Sequence, residues 1–257
     1  MNSHERINKG TNLEREREFV ANHCLSYTAV YTPHAHIKKN LIIKVFKPFI
    51  HGGLALELGC ADGYMTEQLA HLVDTLDVVD GSSRFIKQAS KTSLTNVDFI
   101  CALFEEYECR KRYDYIFATY ILEHVLDPIA ILKRMKALLK SSGLLFIAVP
   151  NARALSRQIA LHMGLIEDLK QLTDNDKKHG HRRIYDRITL NKHMEIAGFR
   201  SISQGGIFLK ILADFQLNKL LKEKILTEDH YDALYSLGLE YPDFCDSIFS
   251  ICASKET

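Results

Sequence analysis

Two stretches of the chain carry residues whose types and spacing suit ligand chemistry. In the first, Ala55-Leu-Glu-Leu-Gly-Cys-Ala-Asp-Gly63, an apolar run ends in a loop with two glycines. Gly59 and Gly63 have no Cβ, so ligand atoms can come close to the backbone. A tight turn from strand to helix also aims free N–H groups and the positive helix end at whatever sits there. That suits the carboxylate or ribose edge of a nucleotide-like ligand. In the second stretch, Asp80 closes the next apolar run, about 20 residues on. Its carboxylate can accept both hydroxyls of a ribose, and charge-assisted bonds of that kind contribute roughly 1.5–3 kcal/mol each. The competing role for Asp80 is a helix N-cap, which Ser82 or Ser83 could fill equally well.

A nicotinamide dinucleotide is the rival ligand for the first loop. Its fingerprint, G-x-G-x-x-G, would place the second glycine at Ala61 and the third at Tyr64. A tyrosine there crowds the pyrophosphate and holds the helix away from the sheet. The dinucleotide reading therefore loses ground.

These loops need a frame. Apolar positions recur at helical spacing from about Glu14 to Ile50, with Pro33 breaking the run into two helices and Pro48 with Gly52-Gly53 ending the second. Strands and helices then alternate. Strands are expected at Leu54–Gly59, Thr75–Asp80, Val97–Leu103, Tyr113–Thr119 and Leu144–Val149, with helices at Tyr64–Val73, Ser83–Thr92 and Ile129–Lys140. Asp127-Pro128 supplies the N-cap and N1 proline of the last helix, and Gly143 stops it. After Asn151 come a possible helix, Ala152–Met163, and a very polar stretch, Thr173–Arg183. Thr189–Ala197 resumes a helix and Phe199–Leu209 reads as a strand. Two helices, Asp214–Lys224 and Glu228–Leu237, precede a last strand at Ser247–Ser254. Continuous apolar strands separated by helices indicate a parallel sheet covered on both faces, and right-handed crossovers make it doubly wound. Ligands then bind at the carboxyl ends of the strands, in the loops after Leu58, Val79, Leu103 and Ala118.

The bulk numbers narrow the function classes. With 46% apolar and 25% charged residues and a formal net charge of +1, no global field draws the chain to nucleic acid or anionic lipid. No apolar run approaches the roughly 20 residues of a membrane span, and the first 19 residues have no signal-peptide core, so a cytoplasmic location is expected. Six dispersed cysteines without a C-x-x-C pair are expected to be reduced thiols. The histidine pairs His34/His36 and His179/His181 lack a third ligand at suitable spacing, so no metal is expected.

Three motifs in order, E-L-G-C-A-D-G at 57–63, V-V-D-G-S at 78–82 and Y-D-Y-I-F-A-T-Y-I-L-E-H-V-L-D-P at 113–128, resemble the class I S-adenosylmethionine-dependent methyltransferases. The chain is most similar to the branch with the ubiquinone-biosynthesis O-methyltransferases and many natural-product enzymes, from about Leu54 to Phe199. The resemblance implies a Rossmann-like α/β domain over 51–257, with a seven-stranded, mostly parallel sheet. It also implies a cap formed by the N-terminal helices (1–50) and by insertions at 151–186 and 211–240. Glu57, Gly59, Cys60, Ala61, Asp62 and Gly63 would hold the methionine moiety of the cofactor and Asp80 its ribose. Gly81 and Ser82 would lie beside adenine, flanked by Leu103 and Phe104. Two departures matter: Ala61 replaces a common glycine, and Leu103 replaces an aspartate that in many members accepts the adenine amino group.

Methyl transfer is an in-line displacement that releases a neutral thioether, so the enzyme aligns the reactants and removes the acceptor's proton. The fourth-strand motif supplies Thr119 beside the cofactor and Tyr120 and His124 as catalytic candidates, with Glu123 structural. An imidazole, with an ordinary pKa near 6.5, suits a base at neutral pH, although His124 could instead only fix the loop. For the acceptor, the candidates are Asn151, His181, Arg182, Arg183 and Tyr185, the last four in an H-x-R-x-[YF]-like segment with His179 and Asp186. Arginines there would recognise carboxylate or phosphate. Tyr27, Tyr31 and His34 would close the pocket. The [N/D]-P-P-[Y/F] motif for planar amino groups is absent, which leaves O-methylation and aliphatic N-methylation of a small molecule, by a monomer or homodimer. An RNA or protein acceptor, or a non-catalytic S-adenosylmethionine-binding regulator, are the alternatives.

Overall fold

The computed structural model describes residues 13–22 and 32–255. Seven strands form one sheet: β1 (Leu54–Leu58), β2 (Thr75–Asp80), β3 (Val97–Cys101), β4 (Tyr113–Thr119), β5 (Leu139–Pro150), β6 (Phe199–Gly206) and β7 (Ser247–Ser254). Their order across the sheet is β3-β2-β1-β4-β5-β7-β6, parallel from β3 to β5, with β7 antiparallel to both its neighbours. The winding reverses between β1 and β4, so a crevice opens beyond their carboxyl ends. The mostly parallel, doubly wound sheet expected from the apolar runs is the one observed.

Helices cover both faces. On one face α5 (Pro128–Leu138) and α8 (Arg187–Ile196) bury Leu132, Met135, Leu190 and Met194 against Leu145 and Ile147 of β5. On the other, α2 (Pro33–Phe46), α3 (Tyr64–Ala70) and α4 (Ser83–Ala89) follow a helix α1 over residues 13–22. Pro33 stands at the N-terminus of α2 rather than inside a helix, and Thr32 caps it by accepting from the Ala35 amide. Leu41, Ile42 and Phe46 of α2 reach the sheet, where the Phe46 and Phe146 rings lie 5.0 Å apart. A helix seated in that way is part of the core as well as a pocket wall.

Local chemistry explains most boundaries. Asp127 caps α5 by accepting from the amides of Ile129 and Ala130, both at 3.0 Å. Gly143, read from sequence as the stop of that helix, lies instead inside β5. The register jumps there from Tyr113↔Leu139 to Tyr115↔Leu144, and a Cβ on Gly143 would stand 2.9 Å from the Tyr113 carbonyl oxygen. The polar stretch after Asn151 is more ordered than its composition suggests. Besides α6 (Leu155–His162), it holds a short α7 (Asp174–Lys178) with a reciprocal cap between Thr173 and Asp176.

α9 (Asp214–Lys222) and α10 (Glu228–Glu240) pack on α2. Ion pairs link these layers: Lys38 to the buried Asp246 at 3.0 Å, and Lys210 to both Asp246 and the exposed Asp214. His34, expected near the pocket, is instead bonded through Nδ1 to the Tyr231 hydroxyl at 2.7 Å in this layer. The five described cysteines are free thiols, and Cys24 lies outside the described residues. Among the described residues no helix is long and apolar enough to cross a membrane.

Candidate active site

A pocket opens at the carboxyl ends of β1, β2 and β4, where the winding reverses. Its floor is the loop between β1 and α3. Gly59 has φ +78° and Gly63 φ +81°, a left-handed backbone that glycine adopts without strain. A Cβ on Gly59 would stand 2.5 Å from the Ile121 side chain, so this glycine also keeps the pocket wall open. Ala61, in the position of a more usual glycine, is likewise left-handed at φ +45°, and both it and Cys60 line the pocket.

Asp80 sits at the tip of β2, buried. One carboxylate oxygen accepts from the Cys60 amide at 3.0 Å and the other from the Ser82 amide at 2.8 Å. Burial holds its pKa above the ordinary range, against those two bonds. Each carboxylate oxygen still has a lone pair to offer a ribose hydroxyl. Ser82 takes the N-cap of α4, its hydroxyl accepting from the Phe85 amide. The capping and ligand roles that the sequence left open are thus divided between neighbours: Ser82 caps, and Asp80 faces the pocket.

The far wall combines Gly81, Leu103 and Phe104 with Phe19 and Val20 of α1. A Cβ on Gly81 would stand 3.0 Å from Leu103 and 3.3 Å from Val20, so these side chains close on the glycine and narrow this side of the pocket to an apolar slot. Glu105 also lines the slot, and its Oε1 is buried without a hydrogen-bond partner. Thr119, at the end of β4, presents an equally orphaned Oγ1. Two residues lining one pocket thus carry buried oxygens without a protein partner, groups that a polar ligand would satisfy. Near the glycine loop, Lys39 of α2 lines the pocket, paired with Asp62 at 2.7 Å, and burial lowers its pKa from the ordinary lysine value. Lys39 and Glu105 carry chemistry that sequence reading missed. Lys39 sits in an ordinary amphipathic helix, and Glu105 in a loop whose path only the fold fixes.

Glu57 lines the same region, its Oε2 accepting from Thr66 at 2.6 Å, and burial pushes it up to about 8. The folded chain therefore holds a proton on Glu57 between about pH 4.5 and 8, a window in which the unfolded chain has lost it. The stability contributed by that proton is complete below the unfolded pKa and is lost as pH rises through 8. The melting temperature of the unliganded protein is expected to fall across this window, and Glu57→Gln is expected to flatten the fall. Equal slopes in both proteins would remove Glu57 as the source.

The turn after β4 adds Tyr120, Ile121 and His124 to the pocket lining, and the insertion adds His179 and Gly180. Tyr120 has φ +58°, a strained backbone of the sort held at functional sites. Its hydroxyl lies 2.7 Å from Ser247 of β7 and its pKa is raised by burial, so the phenol is not a proton acceptor at neutral pH. His124 sets Nδ1 3.3 Å from the Gly180 carbonyl oxygen. Glu123 is fully buried beneath it, pushed up to about 7 by burial, and neither of its carboxylate oxygens has a hydrogen-bond partner among the described residues. His181 meets the His124 ring edge-on, with centroids 4.9 Å apart. Among the described residues neither close histidine pair forms a ligand cluster by itself. The fold instead gathers Glu123, His124 and His181 from separate segments, with potential ligand atoms within 4.8 Å of one another.

Several sequence candidates have other duties. Asp62 is not among the lining residues: it anchors α2, bonded to Lys39 and to His36. Arg183, expected to meet an acceptor, instead donates to the carbonyls of Leu122, Val125 and Leu126 and staples the turn that carries His124. Asn151 is buried with its amide donating to the carbonyls of Asp243 and Cys245. Tyr185 is fully buried beside Leu122 and His193. Each of these three is a correction with one cause: their polar groups are already bonded within the fold, chiefly to backbone carbonyls. Arg182 pairs with Glu16 at 2.8 Å and lies over the Phe19 ring, fastening α1 across the pocket. Tyr27 and Tyr31 lie outside the described residues.

Comparison with known proteins places this geometry. The family model described as "Methyltransferase domain" matches residues 36–204. The ubiquinone biosynthesis O-methyltransferase of Bradyrhizobium diazoefficiens is 35% identical over 115 residues, 43% of this chain and 45% of that protein. Its counterpart from Rhodopseudomonas palustris is 28% identical over 163 residues, 62% of this chain and 63% of that one. The chain thus spans less than two thirds of the length of these curated relatives. Among solved structures, the N-methyltransferase NodS of Bradyrhizobium japonicum with S-adenosylhomocysteine superposes with a TM-score of 0.58 at 13% identity, over 90% of this chain and 92% of that one. The [4+2]-cyclase SpnF superposes with a TM-score of 0.59 at 14% identity, over 87% and 82%. The fold alone therefore does not fix the reaction.

Proposed function

Since this chain belongs to the class I S-adenosylmethionine-dependent methyltransferase family, we propose that it transfers a methyl group to an oxygen, or an aliphatic nitrogen, of a small-molecule acceptor. The observation that carries the reading is the pocket itself. A left-handed glycine loop faces the acidic tip of the next strand, and Thr119 and Glu105, each with a buried oxygen lacking a hydrogen-bond partner among the described residues, line the same pocket. S-adenosylmethionine fits those residues and supplies, when bound, a methyl group on a sulfonium whose departure leaves a neutral thioether.

The chain's own residues divide the remaining work. Asp80 accepts from the ribose hydroxyls while keeping its bonds to the loop amides. Lys39 and Thr119 bind the amino-acid end, beside the glycine loop. Gly81, Leu103 and Phe104 enclose adenine, and Glu105 accepts from its amino group, in place of the aspartate that Leu103 displaces. No acid is needed at the leaving group, so the polar cluster at the other end acts on the acceptor. There Glu123, His124 and His181 manage the proton that the acceptor loses, with His124 the member that lines the pocket. α1 and the segment holding Gly180 close over the site and exclude water. Residues 211–240 contribute no lining side chain among the described residues and instead buttress α2.

Calorimetry with S-adenosylhomocysteine and with NAD tests the ligand, and turnover of S-adenosylmethionine on a panel of hydroxyl and amine acceptors tests the reaction. Binding of the first nucleoside and not the dinucleotide is expected. Saturable NAD binding with none of S-adenosylhomocysteine would end the reading.

A further inference from the structure

We infer that the chain pairs with a second copy of itself through α9, the two helices lying antiparallel about a two-fold axis. The inference stands apart from the methyl-transfer reading. Leu212, Phe215, Gln216, Lys219, Leu220 and Glu223 line one groove along this helix. Their spacing of three and four residues puts them on a single stripe. That stripe lies away from the buried Leu217 and from Leu221, which packs on the core. Phe215 is 75% exposed, and Ile211, just before the helix, is 50% exposed. The turn that ends α9 runs through Lys224 at φ +57° and leaves Ile225 60% exposed. An apolar cluster of this kind, set among charged residues, marks an interaction surface.

The order of side chains along the stripe identifies what covers it. A two-fold contact joins the same patch on both copies, so the patch must be its own complement. Lys219 and Glu223 stand one helical turn apart on the stripe. An axis midway between them sets Lys219 of each copy against Glu223 of the other. The same reversal carries Phe215 of each copy toward Ile225 of the other, because these two lie on opposite sides of that midpoint. Leu220 falls beside the axis. A lipid surface would instead call for cations around the apolar residues. Here Glu223, Glu228 and Asp229 are exposed at and just beyond the end of α9. A seam built on one helix of nine residues is small beside specific interfaces that bury about 1,200–2,000 Å² in total. The pairing is therefore reversible, with dissociation in the micromolar range.

Sedimentation equilibrium of the full chain, from low to high micromolar concentration, tests the seam. The wild type is expected to pass from monomer to dimer across that range, a readout that needs no variant to fold. Phe215→Ser is expected to raise the dimer dissociation constant by about tenfold or more, since both copies lose the anchor. Lys219→Glu and Glu223→Lys, each alone, set like charges opposite one another twice in the interface, and each is expected to raise it by about fivefold or more. The two reversals combined in one chain are expected to restore the wild-type value. Melting temperatures and S-adenosylhomocysteine binding, measured on the same samples, show that the variants are folded and report separately on the nucleoside pocket. A wild type that stays monomeric, a dimer indifferent to Phe215→Ser, or a double reversal no better than the single ones overturns the seam. Flotation of the monomer with phosphatidylglycerol vesicles, weakened by Phe215→Ser, would assign the stripe to a membrane surface and overturn it as well.

Discussion

Asp80→Ala is expected to weaken S-adenosylhomocysteine binding by a hundredfold or more, the largest effect of any single side chain on the nucleoside. Two charge-assisted bonds to ribose hydroxyls, at roughly 1.5–3 kcal/mol each, set that scale. The same carboxylate also receives the amides of Cys60 and Ser82, so its loss releases the glycine loop from the start of α4 as well. Asp80→Asn separates the two contributions. An amide oxygen can accept from one partner but its nitrogen cannot accept at all, so this variant should fall between wild type and alanine. Calorimetry on the three proteins, with their melting temperatures, decides the matter. If Asp80→Ala bound the nucleoside as the wild type does, the ribose would lie elsewhere.

His124→Ala is expected to lower turnover by about a hundredfold to ten-thousandfold, the range that a group acting on a proton in the transition state commands. Nucleoside affinity should stay close to that of the wild type, because Asp80 and the glycine loop, rather than His124, are proposed to hold the nucleoside. That split is what distinguishes a residue acting on the acceptor from one that only fixes the turn. A purely structural His124 would disturb Ile121 and with it the open space over Gly59, and both parameters would move together. Arg183 already staples the turn through three carbonyls, so the loop has its own support without the imidazole.

The chemistry legible in the sequence was local in origin. Left-handed glycines after an apolar strand, an acidic residue ending the next strand, and Asp127-Pro128 opening a helix all act through their immediate neighbours, so residue type and spacing reveal them. The less legible half of the site is built by long-range contacts. Arg182, Arg183 and Tyr185 have the composition of an acceptor-binding segment. In the fold, however, Arg183 and Tyr185 meet the turn after β4, while Arg182 reaches α1. Lys39 and Glu105 look like surface charges until α2 and the loop after β3 turn them to the pocket.

By itself, then, the sequence determined the alternation of strands and helices, the nucleoside-binding loop and the acid that answers it, because periodicity, turn preference and capping are set by residues close in the chain. Only the tertiary structure decided that β7 runs antiparallel between β5 and β6, which arginines were consumed by backbone, and that Glu123 and His124 would meet His181 beneath the pocket. Those outcomes depend on which buried polar groups find partners once the sheet has closed and its covering segments have packed, a competition between distant residues that spacing along the chain does not record.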